Sequence, residues 1–407
     1  MIHINYKENL TYENKLLQMQ QDAGFDVADA ELTDTSGQAE EVSIPDPSIF
    51  QDIRSRQALP KVPKVFLSNQ CSFNCAYCGC RAGREDKSCY CNSPRELAEI
   101  SISEARRNKS GIFVTSAIYK NADYTQELII ETLRILRKEY HYNGYLHAKI
   151  MPGVDAALIE KASTYANRLS INIEVAKNAG YDMIAKQKNK TNILLPMQQI
   201  SNIVQYSRQN KSYYNPVTAT SQTTQLMAGS TGETDRTILI LSKALYKKYK
   251  LSRVYYTAFQ YMRKAKGYEL PFVSTPSWRV KRLYQADRLM ELYGFAPEEV
   301  VPDTEPNLTE DLDPKISWAI RNIHLFPIEV NRADYETLLR IPGIGLTYAK
   351  RIIKARQQGT LTHETLRKLG ISLKRSSLFL TCNGKYEGRN IIEDKELLYQ
   401  EFRECQG

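Results

Sequence analysis

Six of the eight cysteines fall between positions 71 and 91: Cys71, Cys75, Cys78, Cys80, Cys89 and Cys91. Three of them stand as Cys71-Ser-Phe-Asn-Cys75-Ala-Tyr-Cys78, the spacing C-x3-C-x2-C. A disulfide framework would be spread over a small secreted domain, whereas a tight cluster in a long chain points to metal or redox chemistry. Structural zinc takes four protein ligands, commonly as two separated C-x2-C pairs. Ordinary [4Fe–4S] ferredoxins also supply four cysteines. Three thiolates on one short loop can converge on one face of an iron–sulfur cube and leave one iron open to a substrate or cofactor. The other cysteines, Cys80, Cys89 and Cys91, follow as C-x8-C-x-C, a spacing that fits no established ligand set. Two readings stay open for them: an auxiliary cluster, or bystander thiols, which the spacing favours.

A second chemistry-bearing stretch lies near the C-terminus. Leu338, Leu339 and Ile341 close one apolar helical stripe, Pro342-Gly343-Ile344-Gly345 forms a tight turn, and Ala349, Ile352 and Ile353 open the next stripe. Two glycines let backbone N–H groups approach a phosphate, and the following helix N-terminus adds its dipole. Lys350, Arg351 and Lys354 add positive charge beside it. This stretch resembles the helix–hairpin–helix module of DNA repair and recombination proteins. The resemblance implies DNA contacts at Gly343, Ile344, Gly345, Thr347, Lys350, Arg351 and Lys354. A degenerate second copy is expected at Leu366-Arg-Lys-Leu-Gly370. Residues 314–389 hold 14 lysines and arginines against 5 acidic residues, so the whole net charge of +9 sits in this region. A local surplus of this kind suits a polyanion.

Elements that would position the cysteine loop follow from residue 61. Apolar runs at 65–68, 111–116, 145–151, 169–175, 223–228 and 252–257 read as strands, with helical patterns between them. Ser93-Pro-Arg-Glu96 is a helix start with a capping box. Such alternation predicts a parallel sheet with its site at the C-terminal ends of the strands. The cysteine loop follows the first strand, as that rule requires. In that context C-x3-C-x-aromatic-C resembles the radical S-adenosylmethionine (SAM) superfamily. The resemblance implies that Cys71, Cys75 and Cys78 hold [4Fe–4S] and that SAM caps the open iron. It implies that Tyr77 lies near the adenine. Thr115 and Ser116 would stand where the family holds the SAM amino group, although Thr-Ser-Ala departs from its usual Gly-Gly-Glu. Asn172 and Glu174, at i and i+2 of the fourth strand, would face the ribose hydroxyls, and Gly229 opens a glycine-bearing adenine loop. His147 and Lys149 share one strand face, which suits either an interior site or a satisfied interior pair.

The 407 residues are 42% hydrophobic and 25% charged, which excludes a fibrous or largely disordered chain. No stretch reaches the ~18 apolar residues of a membrane helix, and the first ten residues lack a signal-peptide pattern, so a cytoplasmic protein is expected. The expected fold class is α/β: a partial (β/α)6 radical SAM barrel followed by an α-helical helix–hairpin–helix domain. The expected segments are an acidic N-terminal extension over 1–60, the barrel over 61–260, a helical bridge and linker over 261–312, the hairpin module over 313–390 and a tail over 391–407. Together these features resemble bacterial DNA modification or repair radical SAM proteins. That resemblance implies a radical acting on DNA, fed by an electron donor such as flavodoxin or ferredoxin, with no membrane partner. An RNA-modifying radical enzyme and a non-catalytic iron–sulfur protein that binds nucleic acid or senses redox state are the alternatives.

Overall fold

The computed structural model describes residues 19, 62–83, 89–210, 219–260, 268, 273–389 and 394–404. The expected N-terminal extension lies outside the described residues, Met19 apart. The chain divides into two compact units. The first comprises Met1–Glu233 and Ala244–Thr275, and the second Thr234–Lys243 and Pro276–Gly407.

Strands and helices alternate through the first unit. They run β1 (Lys64–Phe66), α1 (Pro94–Asn108), β2 (Ile112–Thr115), α2 (Ala122–Lys138), β3 (Leu146–Lys149), α3 (Ala156–Ser163), β4 (Arg168–Ser170), α4 (Ala179–Ile184), α5 (Lys190–Gln209), β5 (Ser221–Ala228), α6 (Asp235–Tyr249) and β6 (Arg253–Ala258). The first part of α6 belongs with the second unit. All six strands pair in parallel, in the order β1-β2-β3-β4-β5-β6. A purely sequential order needs the same right-handed crossover each time, so the helices collect on one face. The fold is therefore α/β, a six-stranded parallel sheet of the partial-barrel kind.

Strand pleating sorts the two faces. Val65, Ile112, Val114, Leu146, Ala148, Leu169, Val254 and Tyr256 are buried on the helix-covered face. The other face carries Thr115, His147, Lys149, Ser170, Thr223 and Gln225, also buried. The register Lys149↔Ser170↔Thr223 sets three of these side by side. Helix starts follow the sequence. Ser93 and Glu96 form the expected capping box on α1, and Asn121 caps α2. Ile129, Leu133 and Leu136 form the buried stripe of α2, each stabilising by about 1.5–3 kcal/mol.

β4 departs from expectation. It ends at Ser170, not at residue 175. The N–H groups of Ile173 and Glu174 both donate to the Gln225 carbonyl, at 3.0 Å each, and Glu174 takes a left-handed φ of +63°. The pleat is broken there, so Asn172 and Glu174 are not strand neighbours on a common face.

The second unit is helical: α7 (Ser277–Tyr293), α8 (Pro297–Val300), α9 (Pro314–Arg321), α10 (Tyr335–Arg340), α11 (Leu346–Arg356), α12 (His363–Lys368), α13 (Leu373–Ser376) and α14 (Lys395–Glu404). Two short strands, β7 (Ile328–Glu329) and β8 (Leu380–Thr381), pair in parallel. Its core is a run of rings, Phe295, Trp318, Phe326, Phe379 and Phe402, with successive centroids 5.0–6.2 Å apart.

Candidate active site and nucleic-acid interface

The cysteine loop leaves the C-terminal end of β1 and is tied to its surroundings on several sides. Leu67 N donates to Thr115 O at 2.9 Å, and Ala117 N to Ser68 O at 2.9 Å. Ser68 Oγ donates to the Tyr90 carbonyl at 2.8 Å, so the Cys89–Cys91 stretch folds back against the strand end. Within the loop, Ala82 N closes onto Phe73 O at 2.8 Å. Two sulfurs receive backbone donors: Phe73 N to Cys71 Sγ and Cys80 N to Cys78 Sγ, both at 3.4 Å.

Cys75 is buried, with 5% of its surface exposed. Burial pushes its thiol up to about 12, against the pull of Lys188. Burial and the neighbouring Cys78 raise Cys71. Cys78 goes the other way, to about 7, because the Cys80 side chain hydrogen-bonds it. The thiols oppose one another's ionisation, since Cys78 raises both Cys71 and Cys75. Among the described residues no three His, Cys, Asp or Glu groups converge tightly enough for one metal ion.

A buried ion pair stands beside the loop. Lys188 Nζ lies 2.7 Å from Glu174 Oε1 and 2.9 Å from the Tyr77 hydroxyl, and 5.6 Å from the Tyr77 ring centre. Burial alone would lower Lys188, but Glu174 and the thiol groups of Cys75 and Cys78 outweigh it and raise it. Burial, then Glu174, raises Tyr77. Glu174 Oε2 is buried and has no hydrogen-bond partner. Lys188 was not expected from the sequence. It sits in Lys186-Gln-Lys188-Asn-Lys190, and only the fold selects which of the three turns inward.

The remaining expected residues gather at the same strand ends. Thr115 is buried at the end of β2. Ser116 Oγ donates to its neighbour's carbonyl, Ala117 O, at 2.6 Å. Asn172 accepts a hydrogen bond from Lys149 Nζ. Gly229 has φ +80°, and its N–H donates to Glu233, which also accepts from Thr231 N at 2.9 Å. The glycine loop therefore closes on its own carboxylate. His147 is a satisfied interior residue: its ring stacks on Phe113 at 3.9 Å and its Nε2 lies 2.8 Å from Ser170 Oγ. On the same inner face, the buried hydroxyls of Thr223 and Thr257 have no partner.

In the second unit, α10 and α11 form the expected hairpin. Asp334 caps α10, accepting from Thr337 N at 2.7 Å. Gly343 has φ +82°, which a side chain would oppose. Gly345 is the N-cap of α11 and supplies no side-chain cap, so the first amides of this helix are open to an anion. Thr347, Lys350, Arg351 and Lys354 are exposed around it. Ile344 differs: its side chain is in the core and its N–H donates to Ile341 O at 3.1 Å. Lys315 Nζ donates to the Ile344 carbonyl at 2.6 Å and lies 5.0 Å from the Tyr293 ring centre. Burial lowers Lys315 to about 7, with Asp313 opposing.

Where a second copy is expected, the structure has two short helices. α12 and α13 flank Gly370, whose φ of +83° matches Gly343, and Ile371 is buried as Ile344 is. Arg351 Nη1 ties the first hairpin to this turn, donating to Leu369 O at 3.0 Å. Glu329 fastens the turn that follows. Its carboxylate accepts from Asn331 N, Asn383 N and Gly384 N at 2.8–3.0 Å, and these bonds outweigh burial and hold it at about 2.

Residues 327–365 match the family described as the helix-hairpin-helix motif. No curated protein matches the sequence. Among solved structures, the [FeFe]-hydrogenase maturase HydG from Carboxydothermus hydrogenoformans is similar at 15% identity and a TM-score of 0.42, covering 57% of this chain and 51% of that one. SuiB from Streptococcus suis, bound to S-adenosylmethionine, is similar at 12% identity and a TM-score of 0.39, covering 57% and 48%. The radical S-adenosylmethionine methyltransferase TsrM from Kitasatospora setae is similar at 12% and 0.36, covering 93% and 70%. This chain spans about half the length of the HydG and SuiB chains. No helix among the described residues is long and apolar enough to cross a membrane.

Proposed function

We propose that this chain is a radical SAM enzyme acting on nucleic acid, with DNA as the first substrate to test. One observation carries the reading. A C-x3-C-x2-C loop stands at the C-terminal end of the first strand of a sequentially ordered parallel sheet, with backbone donors on two of its sulfurs. The donor set fits the implied group: three soft thiolate ligands, and a buried carboxylate oxygen, Glu174 Oε2, without a donor. Cys71, Cys75 and Cys78 would hold a [4Fe–4S] cluster. With SAM bound, it supplies reductive cleavage of the sulfonium to a 5′-deoxyadenosyl radical that takes hydrogen from substrate.

The protein's own groups then have distinct tasks. Lys188 orients Glu174 and Tyr77, leaving Glu174 Oε2 to accept a ribose hydroxyl. The unpartnered hydroxyls of Thr223 and Thr257 give the inner face polar contacts for a substrate. The hairpin match and the uncapped start of α11 support nucleic-acid binding by phosphate contacts, which position without reading sequence. A base inside a duplex is out of reach of such a site, so a flipped or single-stranded base is implied.

The test uses protein reconstituted without oxygen, with dithionite and SAM, and measures 5′-deoxyadenosine with and without DNA. Formation that rises with DNA is expected, and none from Cys71→Ala, Cys75→Ala or Cys78→Ala variants. No product from protein with a verified cluster refutes the enzymatic reading. A rise with tRNA and not DNA redirects the substrate to RNA.

A further inference from the structure

The two flanks of the cysteine loop are built from basic and aromatic residues that the proposed radical chemistry does not use. On one flank, Ser72 N donates to Ile118 O at 2.8 Å, which sets the chain at 119–124 against the loop. On the other, Ala76 N donates to Ile184 O at 2.8 Å and Asn74 N to Gln187 Oε1 at 3.3 Å, which sets 184–190 against it.

Each flank pairs lysine with tyrosine. Lys120 is exposed, with Nζ 4.4 Å from the Tyr124 ring centre and 5.4 Å from that of Tyr119. It holds a left-handed φ of +61°, a conformation that costs a non-glycine residue about 1–2 kcal/mol. Lys186 is exposed and stands 5.1 Å from the Tyr268 ring centre, while the Tyr268 hydroxyl bonds the Asn74 carbonyl of the loop itself. Between residues 175 and 192 the chain has Lys177, Lys186, Lys188 and Lys190 against Asp182 alone. Lys188 is turned inward to Glu174, and the other three face solvent.

An exposed lysine by itself is a solvated surface. Here lysines and tyrosine faces stand on both sides of one loop, with Lys177, Lys186 and Lys190 exposed on one side and Lys120, beside Asp123, on the other. Single strands are held by that combination: phosphates follow a positive groove and bases stack on aromatic rings, each stacked base worth about 1–3 kcal/mol. We propose that these flanks bind a single nucleic-acid strand, with phosphates on Lys120, Lys177, Lys186 and Lys190 and bases against Tyr119 and Tyr124. The inference rests on the nucleic-acid reading above and adds a strand site made of residues distinct from the hairpin.

The test compares two full-length variants by fluorescence anisotropy. The first carries Lys120→Gln, Lys177→Gln, Lys186→Gln and Lys190→Gln. The second carries Lys350→Gln and Lys354→Gln in the hairpin. The probes are a fluorescein-labelled single-stranded oligonucleotide and the blunt duplex of the same sequence. The first variant is expected to bind the single strand at least about tenfold more weakly, with its log–log salt slope reduced by about 3, since each phosphate contact contributes about 0.7. Its duplex affinity should stay within about twofold. The hairpin variant should lose duplex affinity and keep the strand. Single-strand affinity and slope unchanged in the first variant overturn the proposal, and so does equal loss of the strand in both variants. Polyglutamate that competes as well as the oligonucleotide overturns it in favour of an acidic polypeptide. If the hairpin variant keeps its duplex affinity while the first loses the strand, the hairpin reading fails and the strand site stands.

Discussion

Replacing Lys188 by Met isolates the ion pair beside the cysteine loop. In the parent, Lys188 and Glu174 side chains are 11% and 4% exposed and 2.7 Å apart. The variant leaves a buried carboxylate whose Oε2 already lacks a partner, with the Tyr77 hydroxyl as its remaining neighbouring donor. Removing one member of such a pair costs about 3–5 kcal/mol, because a charge stays buried without its counter-charge. For a unit of this size that lowers the melting temperature by roughly 6–20 °C, at 2–4 °C per kcal/mol. Removing both members is different. Lys188→Met with Glu174→Leu takes the charge away as well, and a well-packed apolar pair is often neutral. The double variant should therefore be more stable than Lys188→Met alone. The assay is thermal unfolding of the two single variants, the double and the parent, followed by circular dichroism at one pH and salt concentration. A loss below about 1 kcal/mol in Lys188→Met, or strictly additive single effects, refutes the claim that the two charges depend on each other.

Other outcomes follow from the second unit. Gly343→Ala forces a Cβ into φ +82° and should destabilise the hairpin by about 1–2 kcal/mol, read by chemical denaturation, and weaken duplex binding. Lys315 holds its proton only below about 7 when folded and up to about 10.5 when unfolded, so unfolding free energy should rise between those values; Lys315→Met should flatten that rise, and an unchanged slope refutes the assignment. Glu329 has the opposite sign: its stabilisation is complete above the unfolded value of 4.5 and lost as pH falls towards about 2, so Glu329→Gln should be less stable at neutral pH and show a shallower acid dependence in that window.

Much of this protein is written in local sequence. Cysteine spacing, the Ser93–Glu96 capping box and the Pro342–Gly345 turn each depend on neighbours within a few residues, and the capping box forms as its spacing predicts. Strand–helix alternation was legible for the same reason, since pleat and helix periods appear within ten residues. The turn at Gly370 was legible from its likeness to Gly343, although the four-residue α13 after it is too short to show helical periodicity. Other features depend on residues far apart in the chain. Asn172 and Glu174 read as strand partners, yet Gln225, fifty residues on, takes both N–H groups of Ile173 and Glu174 and breaks the pleat. Ile344 read as a DNA contact, yet the core claims its side chain. Lys188 looks like Lys186 and Lys190 in sequence, and only packing against Tyr77 and Glu174 turns it inward. Local rules fix which elements form and which cysteines share one loop. Tertiary structure decides which polar groups are desolvated together, because burial belongs to the whole fold.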